Sequence, residues 1–274
     1  FEYLHPDDFQ LVSDTYNLLL SDPNAPAQRA DIRFHHVDGS WHTFETVAAN
    51  IIQDNVIEGV MINLRDITER KEAEEKLEKT LESLKKAVGT TVQVLVSVLE
   101  ARDPYTSGHQ SHVAKLACDI AEEMGLPPDT IEGLRMAGAI HDIGKLAVPA
   151  EILSKPTRLT DIEYSLIKEH PQSGFNMVKD VDSPWALAEI LYQHHERMDG
   201  SGYPRHLKGK DILLEARILT VADVVEAMSS HRPYRPTLGI KAALEEIEKN
   251  RGTLYDPNVV DACLKLFREK DYKL

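Results

Sequence analysis

The string HHERMDGSGYP, residues 194–204, sets two adjacent imidazoles and a carboxylate before a glycine-rich turn. Six of the chain's twelve histidines lie between 109 and 195, and several occupy positions where an amphipathic helix would carry a hydrophobe. At about 100° per residue, His109 falls in the centre of the stripe Val113, Leu116 and Ile120 and so points inward, whereas His112 falls on its flank. His194 continues the stripe of Leu187 and Ile190, His141-Asp142 ends that of Leu134, Ala137 and Ile140, and Asp223 interrupts the apolar run ILTVADVV. One buried histidine is ordinarily a hydrogen-bonded core residue. Several imidazoles and carboxylates converging on one helical core need a shared compensating charge, because burying unpaired ionisable groups is costly. Divalent metal ions supply that charge, and imidazole with carboxylate suits iron, manganese, cobalt or zinc in open, hydrolytic sites. No GxGxxG, Walker or GxSxG string competes with this reading.

The elements that must position these groups are helices. After Asp103-Pro104, no strand-helix alternation occurs between 105 and 270, so an all-α domain is expected. Ser107 with Gln110 predicts a capping box, followed by the stripe Val113, Leu116, Ile120 and Met124, which stops at Gly125 and Pro127-Pro128. Asp129 with Glu132 predicts the next cap, and Pro184, Glu215 and Thr237 lie near later helix starts. Upstream, residues 29–66 read as strands: two β-rich runs flank Asp38-Gly39, a hairpin signal, and GVMINLRDI supplies a third. Between them, Asp66 to about Arg102 is a charged, proline-free helix. Its Leu77, Leu81, Leu84, Val88, Thr91, Leu95 and Val98 alternate spacings of four and three, the seam of a parallel coiled-coil dimer. From Val88 onward, packing of this helix on its own domain is an equal expectation.

Two resemblances follow. HPDD at 5–8, DGSW at 38–41 and RDITERK at 65–71 resemble the C-terminal half of a PAS sensor domain, over about the first 70 residues. DPYTSGHQSHV, HDIGK, IKEHPQSG, HHERMDGSGYP and VADVVEAMSSHRPYR stand in the order and spacing of the HD-GYP domain, a branch of the HD phosphohydrolase superfamily that looks like a cyclic di-GMP phosphodiesterase. This second resemblance covers roughly residues 90–270. The expected organisation is thus α+β: a PAS-like sensor fragment at 1–68, a connecting and dimerising helix at 69–102, and an all-α phosphohydrolase domain at 103–274.

Carried over by position, the resemblance implies metal ligands at His109, His141, Asp142, His170, His194, His195 and Asp223, with Asp142 bridging two divalent ions, iron or manganese. His194 and His195 would give one ligand to each. A glutamate that holds a third ion in some members is replaced by Tyr105, so a binuclear centre is expected. The family's arginine three residues after the first ligand is His112 here, which leaves an approach of His112 to the metals open. Lys145 is implied at the scissile phosphate, and Arg232 and Arg235 at the substrate phosphates, where guanidinium forks bind oxygens in pairs. Glu196 and Asp199 are expected to hydrogen-bond behind the ligands, fixing imidazole and turn. The implied reaction is hydrolysis of cyclic di-GMP to pGpG or GMP by a metal-activated hydroxide, gated by the sensor. The alternatives are a catalytically weak receptor for the dinucleotide or for a diguanylate cyclase (GGDEF) partner, and hydrolysis of another cyclic dinucleotide such as cyclic GMP-AMP. His5, His35, His36, His42, His206 and His231 have no ligand geometry that the sequence supplies.

Composition sets the outer bounds. At 274 residues the chain has room for two unequal domains, and 45 acidic against 31 basic side chains give a net charge of −14. That charge opposes non-specific binding to DNA, RNA or an anionic membrane, so an anionic ligand must be held by local cations. Two cysteines, Cys118 and Cys263, with no CxxC pair, encode neither a disulfide framework nor a zinc ribbon and fit a reducing cytoplasm. No run approaches the length of a membrane span. The chain opens on Phe1 in what reads as mid-domain, so a longer protein with an upstream membrane anchor is an expectation.

Overall fold

The computed structural model describes residues 2–22, 24–53, 56–102, 108–155, 157–230, 238–270 and 272–273. The chain divides into two compact units, Phe1–Ala87 and Val88–Leu274.

In the first unit, helix α1 (Phe9–Ser21) precedes strands β1 (Gln28–His35), β2 (Trp41–Gln53) and β3 (Val56–Asp66). They form an antiparallel sheet in the order β1-β2-β3, with Ile32 opposite Phe44 and Phe44 opposite Asp66. The β1–β2 hairpin turns through Asp38-Gly39 as its sequence requires. Gly39 takes a φ of 91°, which a side chain would disfavour. Leu19 and Ile32 are buried where α1 lies on the sheet, beside an apolar pocket of about 290 Å³ that Leu11, Tyr16, Phe34 and Ile62 help to line.

Helix α2 (Thr68–Arg102) is the long charged helix expected, and the division between the units falls within it. Leu77, Leu81, Leu84, Val88, Leu95 and Val98 are all exposed. Val96 and Leu99, which lie off that seam, are the residues it buries. The residues that α2 buries are therefore not those of the seam.

The second unit is helical: α3 (His109–Glu123), α4 (Pro128–Ile140), a 3-10 turn at Ile143–Ala147, α5 (Ala150–Leu153), α6 (Asp161–Ile167), α7 (His170–Val178), α8 (Leu187–Gln193), α9 (Leu214–Ser229), α10 (Gly239–Lys249) and α11 (Pro257–Glu269). Helix α3 packs against α4 and α9, α10 against α9, and α7 against both α8 and the 3-10 turn. Leu116, Ile120, Leu134, Ile190, Leu219 and Ile247 are fully buried at their meeting. At three to five turns of helix each, the longer elements bury one face while the opposite face stays polar.

Two expected helix starts differ. Helix α4 begins at Pro128 with no side-chain cap, so Asp129 sits inside its first turn. Proline at the first helical position lacks only an N–H that would be unsatisfied anyway, and its fixed φ suits the helix. Ser107 lies outside the described residues. The N-cap of α3 is Gly108, with a φ of 76° and no side-chain bond. No helix among the described residues is long and apolar enough to cross a membrane.

Candidate metal centre

All the implied ligands but Asp223 sit at or near the end of an element. His109 opens α3, His141 caps the C-terminus of α4, Asp142 precedes the 3-10 turn, His170 opens α7 and His194 caps α8; Asp223 lies inside α9. The structure brings all seven together. A donor atom from each of His109, His141 and Asp223 lies within 4.8 Å of the others, as do those of His141, Asp142 and His194, and those of His170, His194 and His195. These overlapping sets form one continuous centre. His109, His141, Asp142, His170 and His194 are buried, whereas Asp223 and His195 are half-buried.

Asp142 is the hub of the charges. Its Oδ1 lies 3.3 Å from His170 Nε2 and its Oδ2 3.5 Å from His141 Nε2. Oδ2 also accepts from Lys145 Nζ at 2.7 Å and from Gln110 Nε2 at 3.2 Å. Burial alone would raise its carboxyl pKa. The Lys145 ammonium, with the surrounding imidazoles, outweighs that and holds it well below the usual carboxylate range. Asp223 likewise overcomes its desolvation through a 3.2 Å contact with His109 Nε2 and titrates below the ordinary carboxylate.

Backbone carbonyls orient the rings. The Nδ1 atoms of His141, His170 and His194 lie 2.8, 2.7 and 2.6 Å from the carbonyls of Gly138, Ile167 and Leu191, each three residues earlier. Each Nδ1 therefore carries a proton, and each bond turns Nε2 toward the centre. Burial lowers His170 to about 4 and His194 to about 3, and lowers His195 well below its ordinary value, so these rings are neutral. His109 differs. Burial lowers it, but hydrogen bonds to Asp223 and to Glu226, which meets its Nδ1, prevail and raise it to about 9.

Two consequences show that the donors fit a cation. His170 Nε2 and His194 Nε2 stand 3.3 Å apart with lone pairs facing, and His141 Nε2 is buried with no hydrogen-bond partner. Both arrangements are unfavourable in a bare protein and favourable around a positive ion.

Glycine makes the close approach possible. A Cβ on Gly144 of HDIGK would stand 1.9 Å from the carbonyl oxygen of His170 and 2.5 Å from the amide of Gly174. The missing side chain thus lets the turn after Asp142 press onto the start of α7, where His170 begins. A Cβ on Gly202 would meet Arg197 N at 2.4 Å and Glu196 Cα at 2.5 Å, which allows the GYP loop to fold back. Tyr203 then stacks on His195, with ring centroids 4.8 Å apart.

The expectation for Glu196 and Asp199 is met in part. Buried Glu196 accepts from the amides of Arg205 and Leu207 at 2.7 and 3.0 Å, and Asp199 from Ser201 N at 2.9 Å. Both fix the loop through its backbone amides. His112 lies on the exposed flank of α3, its Nδ1 3.5 Å from Glu226 Oε1, and belongs to none of the donor sets. Tyr105, Arg232, Arg235 and His231 lie outside the described residues.

Sequence reasoning missed four residues of the centre's surroundings. Glu226 binds His109; its signal was a second carboxylate three residues beyond Asp223 in the same apolar run. Gln110 is fully buried beside Asp142, and nothing in its spacing announces that. Thr220 Oγ1 donates at 2.6 Å to the carbonyl of His194, locking the C-cap of α8 to α9. Lys168 Nζ lies 4.7 Å from the Tyr164 ring and 5.3 Å from that of Tyr203, a cation two residues before a ligand.

With the helical core and this centre in view, the chain belongs to the HD domain family, whose pattern matches residues 93–259. That membership implies a bound divalent metal, which the donor sets fit. Over 180 residues the chain is 42% identical to a Thermotoga maritima protein named cyclic di-GMP phosphodiesterase, covering 65% of this chain and 49% of that one. Over 168 residues it is 37% identical to 3'3'-cGAMP-specific phosphodiesterase 3 of Vibrio cholerae, covering 61% and 36%. Among solved structures, an HDG"Y"P protein from Bdellovibrio bacteriovorus matches with a TM-score of 0.51 at 20% identity, over 69% of this chain and 64% of that one. This last match bears on the fold. The chain spans about half the length of the curated relatives it matches.

Proposed function

We propose that the chain is the hydrolytic part of a phosphodiesterase that opens cyclic di-GMP to pGpG, GMP or both. The observation that carries this reading is the set of inward imidazole lone pairs around Asp142, with the Lys145 ammonium 2.7 Å from that carboxylate. On this reading His109, His141, Asp142 and Asp223 hold one divalent ion, and Asp142, His170, His194 and His195 hold a second; iron and manganese are the ions proposed. When bound, such ions neutralise phosphoryl oxygens and acidify water at neutral pH.

The chain's own groups do the rest. Asp142 would contribute to holding both ions. Lys145 is held by Asp142 and is proposed to donate toward the scissile phosphate and the departing oxygen. The hydrogen bonds of Nδ1 to backbone carbonyls keep three rings from turning as charge develops. Arg232 and Arg235, close in sequence to Asp223, are proposed to grip the phosphates not being cleaved. On a chain of net charge −14, these cations and the metals form the anion trap.

A second substrate, cyclic GMP-AMP, is favoured by the 37% identity to the relative named for it. Residues 1–68, within the first unit, are proposed as a PAS-like sensor fragment, joined by the 69–102 helix to the 103–274 domain. A parallel homodimer along the 77–98 seam, a diguanylate cyclase (GGDEF) partner and a cytoplasmic location complete the proposal. The test is anaerobic incubation of the iron- or manganese-loaded protein with each dinucleotide, products being resolved by chromatography beside Asp142→Ala. Turnover in the wild type alone supports the hydrolase and identifies its substrate. Equal turnover in Asp142→Ala sinks the assignment of the reaction to this centre, and no turnover with either dinucleotide in protein carrying two ions sinks the hydrolase in favour of a receptor.

A further inference from the structure

The structure brings together a second histidine-carboxylate cluster, on the β1–β2 hairpin of the first unit. One imidazole nitrogen from each of His36 and His42 and a carboxylate oxygen of Asp38 lie within 4.8 Å of one another. The register explains why. His42 pairs with Phe34 and Phe44 with Asp66, so alternation along the strands puts His42 and Asp66 on one face, and His36, two residues past Phe34, continues it. A one-residue slip would send His42 to the opposite face. The turn then supplies Asp38, whose Oδ1 is engaged by Ser40 N at 2.8 Å while its Oδ2 faces His36 Nδ1 at 3.1 Å. His42 Nδ1 lies 2.9 Å from Asp66 Oδ2, and the His36 and His42 rings stack at 4.5 Å with 27° between their planes.

Two imidazoles and a carboxylate whose donor atoms lie within 4.8 Å of one another offer the mixed nitrogen and oxygen set that borderline divalent ions take. We infer that His36, Asp38 and His42 form a surface site for a borderline divalent transition ion of the zinc, nickel or copper kind, separate from the HD centre. Two imidazoles and one carboxylate leave a coordination position open to water or, by rotation, to Asp66. The donor atoms need to close to about 3.3 Å, the edge of a tetrahedron with zinc–ligand bonds of about 2.0 Å. Exposed side chains achieve that by changing rotamers. The site adjoins the root of α2, because Asp66 Oδ1 also accepts from Thr68 N at 2.9 Å.

The experiment measures Zn²⁺ bound per chain, by equilibrium dialysis and elemental analysis, in the full chain and in its His36→Ala, His42→Ala and Asp142→Ala variants. The expected result is one Zn²⁺ fewer, or about tenfold or more weaker binding of one ion, in each hairpin variant, with that ion retained in Asp142→Ala. The histidine NMR signals of His36 and His42 should shift as this ion binds. Unchanged stoichiometry and affinity in both hairpin variants, or unmoved His36 and His42 signals at saturating Zn²⁺, overturns the inference. The inference does not rest on the proposed reaction, since the hairpin site is read by binding alone.

Discussion

Replacing Gly144 by alanine should disable the centre without touching a ligand. The new Cβ would stand 1.9 Å from the His170 carbonyl oxygen and 2.5 Å from the Gly174 amide, both backbone atoms that no rotamer change can move. Relief to the 3.0 Å that Cβ atoms tolerate requires the 3-10 turn and the start of α7 to part by about 1.1 Å. That separates Asp142 from His170, now 3.3 Å apart across the same joint. Overpacking of this kind costs about 1–3 kcal/mol. For a unit of this size it lowers the melting temperature by about 2–4 °C per kcal/mol. A misplacement near 1 Å in a reactive constellation is worth about 100-fold in rate. Melting by circular dichroism, metal content and dinucleotide turnover would be measured beside Gly89→Ala. Gly89 has nothing within 4 Å of its would-be Cβ and lies inside α2, so alanine there should stabilise by up to about 1 kcal/mol and leave turnover unchanged. A Gly144→Ala protein with wild-type melting, metal content and turnover would refute the argument that this contact sets the centre.

Chelation of the bound metal should lower the wild-type melting temperature by about 5–10 °C for each ion that stands near 100-fold over its dissociation constant, and should leave Asp142→Ala almost unmoved; calorimetry with and without chelator checks this. Leu81→Asp with Leu84→Asp should shift the full chain toward monomer in analytical ultracentrifugation, because both side chains are exposed along the seam; an unchanged monomer-dimer equilibrium counts against pairing through α2. Burial pushes the Cys118 thiol up to about 11 and that of Cys263 up to about 12, so neither should react with a thiol reagent at neutral pH until the protein is unfolded, and native labelling at the unfolded rate would contradict that burial.

His109, His141, Asp142, His194 and Asp223 were legible as candidate ligands because each breaks or ends an apolar pattern, whereas His170 and His195 came with the family resemblance alone. A polar group on a helix's buried stripe is visible whenever the hydrophobic period is clear, and His109, His194 and Asp223 each interrupt one. The three strands and the long helix were legible for the same reason. What surrounds the ligands was less so. Gln110 lies next to His109 in sequence, yet its pairing with Asp142 depends on how α3 crosses the end of α4, which no local period encodes. The clustering of His36 with His42 depends on strand register and turn geometry, so five intervening residues concealed it. Capping misled at α4, where proline replaced the side-chain cap that Asp129 suggested.

The chain places histidines where helices run out, and this solves two problems at once. A helix C-terminus leaves carbonyls without intrahelical partners, and burying them against the core without a donor is unfavourable. Gly138 and Leu191 are such carbonyls on α4 and α8, and Ile167 is the last residue of α6. Each is met by the Nδ1 of a histidine three residues on. The bond that finishes the helix also fixes the tautomer that leaves Nε2 as a donor to metal. Glutamine at these positions could retain a polar contact to the carbonyl, but it would not present an imidazole lone pair at the same place. The centre thus follows from the way its helices end: His141 and His194 cap α4 and α8, His170 meets the last carbonyl of α6 as it opens α7, and the same three bonds turn the Nε2 atoms inward.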